Sequence, residues 1–301
     1  MKKLSNKKTL TLSVFTIGLF LVVEAIGGIV ANSLALLADA GHMLSDFLAI
    51  LLSLIAHKYL SKPANNKHSY GYGRMQIIAS FINGITLVGI SIVIMITATI
   101  RMFSPPQVES DVMLIVSILG IIINGITLYI LHLSEEKNLN MRGAILHIIG
   151  DLLGFIAAFV GAIVIKYTQL FIIDPILSVL ISLLILNSAV RLIRESMHIL
   201  LEGAPDDVNE EEIRSSLGQI NGVLDVHHIH VWLLDDSYKM VTLHLILNDK
   251  CDPFEVVEIA QGLLRDTHKI DHSTVAVEKY NREVHPVKDY SHHHREATEQ
   301  S

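Results

Sequence analysis

Six apolar runs fill the first two thirds of the chain, near Thr9–Ala31, Ser33–Ala56, Gln76–Met102, Val112–Leu133, Ala144–Ile165 and Leu170–Val190. A helix rises 1.5 Å per residue and a bilayer's hydrocarbon layer is about 30 Å thick, so each run of about 20 residues is long enough to cross it. The pattern changes after Leu201, where Gly203-Ala204-Pro205 ends the last helix. Asn209 with Glu212 reads as a cap for a helix over Glu210–Ile220. Val223–Leu234 and Lys239–Leu247 alternate as strands across an Asp235-Asp236-Ser237 turn. Pro253 opens a helix to about His268, and Thr274–Glu278 reads as a last short strand. This pattern predicts an α-helical membrane protein: six transmembrane helices over residues 1–204, then a small cytoplasmic α+β domain of the ferredoxin-like kind over 205–281. Residues 282–301 read as a disordered tail; His292, His293 and His294 there fit either a weak metal collector or a purification scar.

Composition agrees. With 51% hydrophobic residues and a mean hydropathy of +0.48, the chain is excluded from the ordinary soluble globular class. Lys2, Lys3, Lys7 and Lys8 precede the first run, but that run exceeds a secretory core and ends in no cleavage signal, so it is expected to remain in the mature protein. Lys and Arg near span ends stay cytoplasmic. Twelve of them flank the N-terminus, the second and fourth spans and the end of the sixth, against Arg101 and Lys166 on the other side, which predicts a multi-pass cell-membrane protein with both termini in the cytoplasm. Cys251 is the single cysteine, consistent with a reducing compartment for its domain. From Pro205 onward, nineteen acids face nine bases and ten of the sixteen histidines occur. That balance argues against nucleic acid and for cations.

The chemistry lies inside the apolar runs. His42 and Asp46 stand four residues apart in the second, and His147 and Asp151 repeat that spacing in the fifth. On a helix this spacing places each pair on one face, so two adjacent helices converge two imidazoles and two carboxylates. That is a tetrahedral set for a divalent ion of zinc's kind. A buried helix-to-helix hydrogen bond would explain one pair. Two pairs with no Lys or Arg among them to neutralise the acids point to an ion path. The chain therefore reads as a membrane metal transporter. Among the other polar residues in the spans, Glu24 and Asp39 are candidates for a proton path, Asn83 and Asn124 read as interhelical bonds, and Asp174 before Pro175 as a helix cap near the outer surface. No phosphate-binding loop, phosphorylatable Asp-Lys-Thr-Gly segment or His-Glu-x-x-His motif occurs, so ATP drive and metallopeptidase activity are not expected. The chain is read as no enzyme. A membrane metal sensor without flux is the alternative.

Ser33-Leu-Ala-Leu-Leu-Ala-Asp39-Ala-Gly-His42-Met-Leu-Ser-Asp46, the His147-x-x-x-Asp151 repeat and Val226-His227-His-Ile-His230-Val-Trp232 together resemble the cation diffusion facilitator family, in particular the bacterial cobalt-zinc-cadmium resistance exporters. The resemblance covers nearly the whole chain. It implies a homodimeric antiporter that exports zinc, with cadmium or cobalt as further substrates and protons as counter-ion, and that carries no prosthetic group. It also implies that His42, Asp46, His147 and Asp151 bind the transported ion, with His42 as the zinc-preferring form. His227, His244, His272 and Glu278 resemble the family's regulatory zinc sites at the subunit interface. Strand alternation would turn His228 and His230 away from His227. The Asn65–Tyr72 loop departs from relatives that carry a metal site there, since it offers Asn65, His68 and Tyr72 in place of an acid and two histidines.

Overall fold

The computed structural model describes residues 6–60, 65–132 and 139–279, with side chains over 17–48, 51, 65–132 and 145–279. The expected tail, with His292, His293 and His294, lies outside the described residues. The chain forms two compact units, divided between Ser196 and Met197.

The first unit is built from six long helices: α1 (Asn6–Ala31), α2 (Leu34–Leu60), α3 (Arg74–Phe103), α4 (Ser110–His132), α5 (Leu139–Thr168) and α6 (Ile173–Leu200). Among the described residues, four stretches are long and apolar enough to cross a membrane: α3, α4, α6 and Ile145–Thr168 within α5. α6 continues past Val190, where its apolar run ends, so Arg191 and Arg194 lie on helix and not in a loop. Helix neighbours in apolar surroundings approach through small residues. A Cβ on Gly120 of α4 would lie 2.3 Å from the Phe155 ring of α5, and one on Gly27 of α1 would lie 2.5 Å from Val116 of α4. At one end of the bundle, Ala31, Ala35, Leu36, Met113, Ala158, Ala162 and Ile165 form a buried cluster across α1, α2, α4 and α5.

Asp174 closes that same end. Its carboxylate accepts from the Ser33 hydroxyl at 2.5 Å and from the backbone N–H of Leu34 at 2.9 Å and Ala35 at 3.3 Å. The expected cap exists, but it is made across the bundle on the N-terminus of α2, where free N–H groups and the helix dipole attract an anion. Arg101 donates to the carbonyl and side-chain oxygens of Asn32 in the same turn. Asn83 forms the expected interhelical bond, donating to Ser45 at 2.7 Å. Asn124 instead donates to the Gly120 carbonyl of its own helix, one turn back.

The second unit runs α7 (Glu210–Gly218), β1 (Val223–Leu233), β2 (Lys239–Leu247), α8 (Pro253–Asp266), β3 (His272–Lys279). Asn209 caps α7 by accepting from Glu211 N–H, and Asp252 caps α8 ahead of Pro253. Asp235 accepts from the N–H groups of Ser237 and Tyr238, which fixes the β1–β2 turn. The sheet order is β1-β2-β3, with β1 antiparallel and β3 parallel to the central β2. Val241, Leu243, Leu245 and Leu247 alternate along β2 into a core with Ile213 and Leu217 of α7 and Val256, Ala260 and Leu264 of α8. Period-two alternation therefore puts His244 on the other face of the sheet.

Candidate metal centres

In the helical unit, α2 and α5 are neighbours, so the two i,i+4 pairs face each other. His147 Nε2 stands 3.3 Å from Asp46 Oδ2 and 3.7 Å from Asp151 Oδ2; His42 Nε2 stands 3.9 Å from Asp46 Oδ2 and 3.8 Å from Asp151 Oδ1. The two imidazole centroids are 5.6 Å apart and nearly perpendicular. Ligand atoms held tetrahedrally at about 2.0–2.1 Å from zinc stand about 3.3 Å from one another. The four His-to-Asp distances lie at that spacing or up to about 0.6 Å beyond it, and two carboxylates match the charge of a divalent ion. His42, Asp46 and His147 each offer a ligand atom within 4.8 Å of the other two.

These side chains line a cavity of about 680 Å³ that runs along α2, α5 and α6, where it extends from Leu177 to Leu192. Nine of its twenty lining residues are Leu or Ile, and beyond the two His-Asp pairs it is polar at Asp39, Ser45, Asn187 and Ser188. Asp39 lines it and is nine-tenths buried; Glu24 is fully buried on α1 and is not part of the wall. Asn187 and Ser188 of α6 add polar atoms that the spacing pattern did not single out, because no His or carboxylate stands beside them in the run. The Asn83 bond holds Ser45, the residue before Asp46, so it ties the ligand-bearing turn of α2 to α3.

In the second unit, His227 of β1 pairs with His244 of β2, and Glu278 of β3 reaches both. Glu278 Oε1 is 2.6 Å from His244 Nδ1, and Oε2 is 3.5 Å from His227 Nε2. The three offer ligand atoms within 4.8 Å of one another. Burial pushes the His227 imidazole below its usual range against the opposing pull of Glu278 and Asp225, which favours the neutral form that binds metal. His272 is not brought to this group: it pairs with Met240, four positions along β2 from His244. Alternation also fails at His228. Between the His227–His244 and His230–Thr242 pairs, β1 carries one residue more than β2, and His228 adopts φ 51°. This bulge turns the His228 ring towards its neighbours, 5.2 Å from His227 and 5.3 Å from His244 between centroids.

The Asn65–Tyr72 loop is organised without metal ligands. Asn65 accepts from the N–H groups of Lys67 and His68 and donates to the Tyr72 hydroxyl, while the His68 and Tyr72 rings pack at 4.6 Å.

Residues 10–201 match the cation efflux transmembrane domain, and residues 205–280 match the cytoplasmic domain of cation efflux proteins. The chain belongs to the cation efflux family, whose members are transporters and not enzymes. It is 42% identical over 276 residues to zinc transporter ZitB of Yersinia pestis, covering 91% of this chain and 88% of that protein. It is 36% identical over 274 residues to the cadmium, cobalt and zinc/H(+)-K(+) antiporter of Bacillus subtilis (strain 168), covering 90% and 87%. Among solved structures, the metal-bound C-terminal domain of the CzcD transporter from Cuprividus metallidurans is 25% identical, with 24% of this chain and 99% of that chain covered and a TM-score of 0.23.

Proposed function

We propose that this chain is a secondary active exporter that moves zinc, and with it cadmium or cobalt, out of the cytoplasm in exchange for protons. The observation that carries the reading is the convergence of the two His-Asp pairs, with every His-to-Asp distance between 3.3 and 3.9 Å, on one cavity between two helices. His42, Asp46, His147 and Asp151 bind the ion. α1 to α6 all span the membrane, and the positive-inside charges put both termini in the cytoplasm, in the cell membrane. The Asp174 cap closes the outer end while the cavity admits the ion from the cytoplasmic half. A histidine must be neutral to bind metal, so zinc and protons compete for the same nitrogens, and protonation from outside releases the ion. Asp39, with Glu24 behind it, supplies a proton path to the site. No resident prosthetic group takes part. The domain over 205–281, ferredoxin-like in its order of elements, joins two copies into a homodimer, and zinc at His227, His244 and Glu278 tightens it. The family that matches residues 205–280 carries a dimer in its name, which supports this reading.

Flux in sealed proteoliposomes tests the reading. Zinc taken up through the cytoplasmic face, with cadmium and cobalt as competitors, is expected; binding with no flux of any of the three would make the chain a sensor.

A further inference from the structure

The second metal group holds three ligands, while zinc sites closed to solvent use four. The bulge in β1 supplies a candidate for the fourth. The ring centroids of His227, His228 and His244 form a triangle with sides of 5.2, 5.3 and 5.4 Å. Two imidazoles bound to one zinc at about 2.0–2.1 Å and a tetrahedral angle place their centroids about 5.2 Å apart. All three sides meet that requirement, and Glu278 already contacts two of the rings. We propose that His228 is a ligand, and that His227, His228, His244 and Glu278 form a complete three-imidazole, one-carboxylate zinc site furnished by a single copy of the chain.

Two features of β1 support this. An unbulged strand would send residue 228 to the face opposite 227, where it could not reach His244. The extra residue removes that obstacle, at the expense of a left-handed backbone at a residue that is not glycine. Outliers of that kind concentrate at functional sites. In its present rotamer His228 is not among the atoms within 4.8 Å, so ligation turns the imidazole about its side-chain torsions; the partly exposed ring is not locked in the core. The consequence is that one copy of the chain supplies all four ligands of this site by itself.

The inference rests on the reading of this domain as zinc-responsive, and cobalt(II) separates the two. The full chain in detergent is titrated with cobalt in a background in which His147→Ala and Asp151→Ala disable the helical cluster and Cys251→Ser removes the native thiol. One saturable, intense tetrahedral cobalt spectrum is expected. His228→Ala should weaken binding by at least about tenfold, the scale seen even for groups that only support a ligand, and should lose intensity as water enters the coordination sphere. His228→Cys should recover tetrahedral binding and add a thiolate-to-cobalt band in the near ultraviolet, which a merely structural residue could not produce. His272→Ala should leave the spectrum unchanged. If the background protein binds cobalt but His228→Ala is indistinguishable from it and His228→Cys shows no thiolate band, His228 is not a ligand and the three-residue site stands alone. If the background protein binds no cobalt, the zinc-responsive reading itself fails.

Discussion

Removing one imidazole or carboxylate from a set of four leaves the ion under-coordinated and unbalances the charge around it. Alanine at His42, Asp46, His147 or Asp151 is therefore expected to abolish zinc flux while leaving the protein folded, since none of the four side chains is fully buried. Wild-type flux in any two of these variants would misplace the site. His42→Asp replaces a borderline nitrogen with a hard oxygen and should relax the preference for zinc, raising cadmium relative to zinc transport in a competition assay. In the second unit, the depressed pKa of His227 has a defined sign. The unfolded chain protonates this residue near pH 6.5 and the folded chain only at lower pH. Stability with chelator present is thus full above about pH 6.5 and falls as pH drops through the window down to the folded pKa. Trp232 is the only tryptophan and lies on β1, so its fluorescence during thermal melts should follow this fall. His227→Asn should flatten the slope.

Element-scale packing makes two further expectations. Asp174 satisfies two backbone N–H groups and one hydroxyl at the start of α2. Asp174→Ala leaves them unpaired in a buried setting and should cost about 1–3 kcal/mol, with Asp174→Asn milder because one acceptor oxygen remains. Gly120→Ala drives a methyl into Phe155 and should lower the melting temperature by an overpacking cost of about 1–3 kcal/mol, and adding Phe155→Leu should restore part of it. Helices, strands and the cap at Asn209 were legible because apolar periodicity, Asn209 and Pro253 act locally. The convergence of the His-Asp pairs of α2 and α5 was legible because a four-residue spacing encodes a helix face. What was not legible depends on distant partners. Nothing near Asp174 in sequence shows that it caps a helix beginning 140 residues earlier. The alternation of β1 shows nothing of the bulge, so His228 was assigned to the wrong face, and His272 was placed with ligands that strand register keeps from it.

At the scale of the molecule, the proposed function describes one cycle: zinc enters the His-Asp site from the cytoplasm while Asp174 caps the far end of the bundle, and protons displace it once that end opens. Purified protein reconstituted into liposomes with a zinc dye and a pH dye tests this most directly, because the same four residues should govern both signals. Zinc presented to the cytoplasmic face of the wild-type protein is expected to cross with protons moving the opposite way, and acid on the far face should speed it. Replacing His147 by alanine should silence both signals together. Zinc flux that is indifferent to the imposed proton gradient, or that persists in His147→Ala, would contradict the account.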